Sequence, residues 1–359
     1  MSIVDVSPEA LTQLKQFELP SDLSFGTVMT PVMIECDYAN GTWGTPQLVP
    51  YHQITLDPTC KVLHYAQEIF EGMKAYNLNN EGPFLFRPEE NYKRFNFSAR
   101  RMAMPEIPKS HFMDSVREIV SHSAHLIPTG SGDSLYVRPF MFATDNSLGI
   151  KPSETFKFLI VASPSQAYFK TGSVKVLVER DAVRACPGGV GNAKTGGNYA
   201  ASLLSMIEAN KLGYDQVLWL DAVTKDKIEE MSGMNFFAVY DDEIVTPPLT
   251  PTILNGITRK SIITIADHLG IKVVEKEILI DELLQDIKNK KCKESFACGT
   301  AVVITPISSI GNKDGERFTL AQEAGPTTLK LREHLMGIQE GPLDDPFSWR
   351  QKVERSSLS

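Results

Sequence analysis

Residues 188–197 read GGVGNAKTGG: five glycines in ten positions, set around a single lysine, Lys194. Glycine in an ordered element costs about 0.5–1 kcal/mol relative to alanine, because it has more backbone freedom to lose. A run this dense is either a solvated loop or backbone brought close to a bound group. One such group is a nucleotide phosphate. The run lies one residue from the pattern G-x-x-x-x-G-K-[ST], with Ala193 where the last glycine belongs, and VLWLD (217–221) imitates the acidic strand that accompanies it. Three features count against a nucleotide cradle. The missing glycine is the one that lets the loop curl over phosphates. DAVRACPGG separates the run from the preceding strand-like segment, and two glycines and an asparagine separate Lys194 from the next helix, so the lysine is not at a helix N-terminus.

The rest of the chain narrows the choice. At 359 residues it has room for two domains of roughly 150 residues. Its 42% hydrophobic and 22% charged residues are those of an ordinary globular protein. Net charge is −8 with no dense basic run, which argues against nucleic acid and anionic membranes as partners. MSIVDVSPEALTQLKQF lacks the basic start and apolar core of a signal peptide, and reads as a helix with Ser7 as N-cap and Pro8 in its first turn. No stretch reaches the ~20 apolar residues that span a bilayer. The cysteines (Cys36, Cys60, Cys186, Cys292, Cys298) are odd in number and form no CxxC, so free thiols in a cytoplasmic, reducing setting are expected.

Strand-like and helix-like segments alternate. TVMTPVMIECDY and KVLHYAQEIF frame an early β region, PFLFR is a short strand, and Pro88 opens a helix. A second helix, HFMDSVREIVSHSAHLI, precedes two buried strands, SLYVRPFMFATD and TFKFLIVASP. Polar SQAYFKTGS marks a boundary. Beyond it come strand SVKVLVER, helix NYAASLLSMIEANKLG, strand QVLWLDA, a hairpin around Asp241-Asp242, helix TRKSIITIADHLG, strand KVVEKEILI, helix DELLQDIKNKK, strand ESFACGTAVVITPI and helix TTLKLREHLMG.

A lysine that forms a Schiff base with pyridoxal phosphate makes separate demands: an acid for the pyridine nitrogen, a phosphate site, a donor to the phenolate and room for the ring. Tyr199 follows the lysine at a distance suited to the phenolate. IEEMSGMN sets Glu230 at a strand end before a turn of small residues. LNGITRK offers free backbone N–H groups after Gly256 at a helix start, an anion site, and Arg94 supplies positive charge. Each alone has a bland reading, as surface acid or solvated helix charge; their joint occurrence carries the weight. His122 and His125 form an HxxH without a third ligand, so no metal is expected.

HYAQEIFEGMKAY, LFRPEENYKR, LYVRPFMFATDNSLGI, AYF, GGVGNAKTGGNYAAS, QVLWLDA, EEMSGMNFF, LNGITRK and ACGTAV, in this order over nearly the whole chain, closely resemble the branched-chain amino-acid aminotransferases, fold-type IV pyridoxal-phosphate enzymes. The resemblance implies an α/β fold of two domains. A small N-terminal α/β domain would cover 1–165, an interdomain loop 166–178, and a larger cofactor-binding domain with a barrel-like β core flanked by helices 179–359. It implies that Lys194 is the Schiff-base lysine and catalytic base, that Tyr199 meets the phenolate and Glu230 the pyridine nitrogen, and that Arg94, the backbone of Ile257 and Thr258, and Thr300 hold the phosphate. Thr300 and Ala301 would present N–H groups to the substrate α-carboxylate. Phe25, Phe70 and Tyr168 would line the side-chain pocket, with Tyr136 and Arg138 at its polar edge. Tyr65, Leu148 and Ile150 would come from the partner subunit of a homodimer that completes the site. The implied reaction exchanges the amino group of leucine, isoleucine or valine with 2-oxoglutarate, reversibly and in two half-reactions. Two positions depart from some relatives: Val302 and Thr305 stand where those carry a redox CxxC, and Gly233 replaces a hydroxyl residue.

Overall fold

A computed structural model describes residues 2–77, 82–166 and 172–356. The chain is mixed α/β and divides into two compact units. The first holds Met1–Tyr168, Ala193–Gly196 and Gly337–Ser359, the second Phe169–Asn192 and Gly197–Met336. The tetrapeptide carrying Lys194 therefore belongs to the first unit, while the glycines that flank it belong to the second.

In the first unit ten described strands form one sheet. Its path runs Asp5–Val6, Gln47–Pro50, Val32–Ala39, Phe156–Ser165, Ser134–Ala143, Met73–Asn77, Pro83–Phe86 and Arg350–Lys352, with Thr42–Trp43 and Glu68–Phe70 paired at its side. Ser134–Ala143 and Phe156–Ser165 pair antiparallel along their whole lengths. Both are buried almost continuously, which is why they read as apolar runs rather than as alternating patterns. Helix Pro88–Arg101 starts on a proline, whose fixed φ and missing N–H suit the first turn, and ends on Arg100 and Arg101, which suit the negative end of the dipole. It turns Phe95 and Ala99, four apart, into the core. Phe95 there meets Phe112 of helix Lys109–His122 and Phe158 of the sheet, at centroid separations of 5.4 and 5.7 Å.

In the second unit six strands close on themselves in the order Ile228–Met231, Gln216–Leu220, Val174–Glu179, Val303–Gly311, Glu294–Gly299 and Met234–Val239, the last pairing back onto the first. Closure leaves these strands no free edge to recruit another chain. Helix Ile280–Lys288 packs on the barrel's apolar cluster through Ile280, Leu283, Leu284 and Ile287, the i, i+3, i+4, i+7 stripe of an amphipathic helix. The register aligns Glu230 with Asn235 and Asn235 with Cys298 across three neighbouring strands.

Four segments differ from the sequence reading. KVLHYAQEIF is not β throughout: Lys61–Tyr65 is a short helix, stopped by Ala66 in the left-handed region (φ 49°), and only Glu68–Phe70 is a strand. The buried Lys61 amine donates to the Lys151 carbonyl, a tertiary contact that local pattern does not announce. ESFACGTAVVITPI is a hairpin of Glu294–Gly299 and Val303–Gly311, with Gly299 opposite Val303; the β-branched residues past the turn hid it. The helix after Lys194 breaks into Gly196–Ala200 and Leu203–Lys211. Arg350–Lys352 adds an edge strand on Pro83–Phe86 that no sequence signal marked.

Candidate active site

The backbone of Lys194 is pinned from two sides within the first unit. Its N–H donates to Ser98 Oγ at 2.9 Å, and its carbonyl accepts the Phe70 N–H at 3.0 Å. The next two residues are tied to Glu68: the Thr195 hydroxyl donates to its carboxylate at 3.2 Å, and so does the Gly196 N–H. A Cβ on Gly196 would lie 2.5 Å from that carboxylate and would push it aside, so glycine here allows the close approach. Lys194 Nζ lies 4.7 Å from the centre of the Phe70 ring.

Four of the residues assigned to the substrate pocket or its edge are brought together in the same unit. Phe25 meets Tyr136 edge to face at 4.8 Å. Arg138 donates to the Tyr136 hydroxyl at 3.1 Å, and its guanidinium lies 4.8 Å from the centre of the Phe70 ring, which therefore touches two cations. Arg94 is held by Glu71, which accepts from Nε at 2.7 Å and from a terminal nitrogen at 2.9 Å. Asn91 donates to the same carboxylate at 2.7 Å. Asn91, Arg94 and Ser98 are spaced three and four apart and so share one helix face, which is how one helix serves both the arginine and the lysine backbone.

The second unit gathers the other assigned groups. Glu230 is buried; Arg184 Nε lies 3.0 Å from one of its oxygens, and the Leu254 N–H donates to the other at 3.0 Å. Asn235, its register partner, donates to the Leu254 carbonyl at 3.0 Å. Thr252 donates to Glu229, and its carbonyl accepts from Arg184. Residues 252–254 are thus bound to the barrel and lead into helix Ile257–His268, whose N-cap, Gly256, has no side chain to occupy the N–H groups of Ile257 and Thr258. The Tyr199 ring stands against the turn after Glu230: a Cβ on Gly233 would come 3.4 Å from Tyr199 Cε1. Gly233 has φ 143°, a conformation open to glycine and strained for a hydroxyl residue. Thr300 and Ala301 form the half-buried turn between Gly299 and Val303.

Tyr65, Leu148 and Ile150 are exposed: the Tyr65 hydroxyl donates to the Leu148 carbonyl, and Ile150 is 91% exposed. Tyr168 lies outside the described residues, as does 167–171 of the expected interdomain loop. Sequence reasoning missed Glu68, Glu71, Ser98 and Arg184, which act on the assigned residues through space. EIFEG belongs to the family pattern, but nothing in it says which acid faces the lysine loop. Among the described residues, no group of three or more His, Cys, Asp or Glu is placed to hold a metal ion.

Each unit carries groups of the kind that pyridoxal phosphate requires: in the first a pinned lysine amine, and in the second a buried carboxylate balanced by arginine, a tyrosine against the turn that follows it, and a helix N-terminus whose cap has no side chain. With a closed six-stranded barrel in one unit and a sheet in the other that is antiparallel except where Asp5–Val6 joins it, the chain is a fold-type IV enzyme. It matches the amino-transferase class IV family model over residues 68–310 and belongs to that family. It is 44% identical over 354 residues to a probable branched-chain-amino-acid aminotransferase of Staphylococcus aureus (strain N315), covering 98% of this chain and 99% of that one. Among solved structures it is similar to the branched-chain amino acid aminotransferase from Escherichia coli, with TM-score 0.72, 29% identity, and 90% and 100% of the two chains covered. The branched-chain aminotransferase from the thermophilic archaeon Thermoproteus uzoniensis, solved with norvaline, gives TM-score 0.73 at 29% identity, covering 89% and 99%.

Proposed function

We propose that this chain is a branched-chain amino-acid aminotransferase. It exchanges the amino group of leucine, isoleucine or valine with 2-oxoglutarate, reversibly, in two half-reactions, with pyridoxal 5'-phosphate as cofactor. The observation that carries this reading is the first unit's cluster: a lysine amine, an apolar ring and an arginine–tyrosine pair gathered around Phe70. That grouping provides a base, a wall for an aliphatic side chain and a cation for a second carboxylate.

Lys194 would attach the cofactor, with Glu230 toward its ring nitrogen and Tyr199 toward its phenolate oxygen. The N–H groups of Ile257 and Thr258, with Arg94 and Thr300, would take its phosphate. When bound, the cofactor would supply an electron sink for the charge left as a substrate's Cα proton departs. Lys194 Nζ would take that proton. Glu230 would favour a protonated ring nitrogen; a carboxylate ~4 Å from a pyridinium gains up to about 4 kcal/mol at an effective dielectric of 20. The Glu71 carboxylate orients Arg94 by gripping one edge of its fork. Thr300 and Ala301 present N–H groups to the α-carboxylate. Phe25 and Phe70 bound an apolar pocket, and Arg138 with the Tyr136 hydroxyl takes the γ-carboxylate of glutamate.

Tyr65, Leu148 and Ile150 belong to the surface that a second copy covers, so the working form is a homodimer. What supports this is that Tyr65 and Leu148 are exposed and joined by a hydrogen bond, with Ile150 exposed two residues further on, so apolar surface gathers in one place. No described helix is long and apolar enough to cross a membrane, and the substrates are small metabolites; we place the enzyme in the cytoplasm.

Borohydride reduction followed by peptide mapping tests the reading. The label is expected on Lys194, and Lys194→Ala is expected to lose transfer from leucine to 2-oxoglutarate by several orders of magnitude while keeping the fold. A label on another lysine, or near-normal transfer by the variant, overturns it.

A further inference from the structure

Glu68 has no role among those assigned, yet it lies among the groups that do. Its carboxylate accepts the Thr195 hydroxyl at 3.2 Å and the Gly196 N–H, one and two residues beyond Lys194. Two positions along the same strand, and therefore on the same face, Phe70 carries Lys194 Nζ at 4.7 Å and the Arg138 guanidinium at 4.8 Å from its ring centre. Arg138 comes from the facing strand. Glu68 pairs there with Phe142 and Phe70 with Phe140, so Arg138, Phe140 and Phe142 share that face with Glu68 and Phe70. Burial pushes the Glu68 carboxyl above its ordinary range, while the Gly196 N–H, the Thr195 hydroxyl and the Arg138 guanidinium each pull the other way. One carboxylate thus stands in the same field as the catalytic amine and the cation assigned to the second carboxylate of glutamate.

We propose that Glu68 is a specificity-determining residue: its fixed charge partly offsets Arg138 and so limits how strongly the site takes a dicarboxylic substrate, while its hydrogen bonds position the Lys194 loop. An aliphatic side chain bears no charge to repel, so the branched-chain substrates are untouched by the first effect. The proposal rests on the transaminase reading above.

Two substitutions separate charge from hydrogen bonding. Glu68→Gln keeps an oxygen acceptor of the same shape and removes the charge; Glu68→Ala removes both. The probes are glutarate and 4-methylpentanoate, unreactive acids that differ in the second carboxylate, titrated calorimetrically into the cofactor-loaded protein at neutral pH. Glu68→Gln is expected to bind glutarate about ten-fold more tightly, which is about 1.4 kcal/mol, and 4-methylpentanoate within about two-fold of the parent. The ratio of kcat/KM for 2-oxoglutarate over 4-methyl-2-oxopentanoate moves in the same direction. Glu68→Ala is expected to show the same preference and, having lost the loop restraint, a lower kcat with both substrates that Gln at this position restores. Unchanged or weaker glutarate binding in Glu68→Gln, with an active parent, overturns the role of Glu68 alone. A parent that binds neither acid and transfers no amino group overturns the transaminase reading and this proposal with it.

Discussion

The five cysteines sit in two kinds of surroundings. Cys36, Cys60, Cys292 and Cys298 are buried, and Cys186 is exposed beside the first glycines of the lysine run. Burial pushes the thiols of Cys36 and Cys292 up to about 12 and raises that of Cys298 as well. Because the thiolate is the reactive form, a raised and inaccessible thiol is inert. Cys298 lies in register with Asn235, one strand over from Glu230, so position alone would have made it the reactive candidate. An aromatic disulfide reagent at neutral pH is therefore expected to titrate one thiol in the native protein, Cys186, and all five after denaturation. Rapid labelling of Cys298 in the folded protein, read by peptide mapping, would contradict this. Two adjacent acids are buried near the same guanidinium: Arg184 Nε lies 3.0 Å from Glu230, and for Glu229 burial raises the carboxyl, an effect only partly offset by Thr252 and Arg184.

Helix Ile257–His268 shows how an element makes a site from its end rather than from its side chains. Its N-terminal N–H groups have no intrahelical partners, and glycine at the cap leaves them open to an anion. Gly256 has φ −68°, an ordinary value, so the requirement for glycine is steric: a Cβ there would fall 2.0 Å from Asn235 Oδ1. Gly256→Ala is expected to displace Asn235, loosen its bond to the Leu254 carbonyl and cost about 1–3 kcal/mol of stability, as overpacking does. Equilibrium dialysis of cofactor and urea unfolding both check this, and a variant with parental affinity and midpoint would refute it. This helix start was legible in LNGITRK, because a glycine before a helix-period run is a local signal. The helix that carries Arg94 was legible too, because Pro88 opens it, but Asn91 and Ser98 on the same face were not singled out. What holds Arg94 was not: Glu71 reaches it from 23 residues away, and Arg184 reaches Glu230 from 46 away. Barrel closure was equally hidden: Ile228–Met231 pairs only with its neighbours in sequence, but the ring also needs Val174–Glu179 beside Val303–Gly311 and Met234–Val239 beside Glu294–Gly299, pairings that no local window contains. The resemblance to a known family named the fold; the residues by themselves gave only alternating strands and helices.

At the scale of the whole molecule, acidic residues outnumber basic ones, 44 to 36, and many are held ionised by specific partners. For Asp221, burial works to raise the carboxyl, but the N–H groups of Thr224, Lys227 and Val223 and the Thr224 hydroxyl outweigh it and leave it well below the ordinary 3.8. Lys272 and Lys276 hold Glu243 at about 2, against an ordinary 4.5. Asp145, Glu179 and Asp181 are lowered too. A carboxyl whose value is depressed by folding stabilises the native state fully above its unfolded value, and that contribution disappears as pH falls through the folded one. Glu68 and Glu229 have the opposite sign: raised by burial, they oppose folding when ionised and cease to do so as acid protonates them. The depressed group is the larger, so net stability should hold from neutral pH to about 5 and then decline as pH drops from about 4.5 toward 2. Urea midpoints measured across that range test the sign, and a midpoint that climbs between pH 5 and 3 would be incompatible with it. Asp221→Asn isolates one contributor. It keeps an oxygen acceptor for the turn but has no proton to gain, so the variant should be weaker than the parent at pH 7, and the gap should narrow steadily as pH falls below about 4.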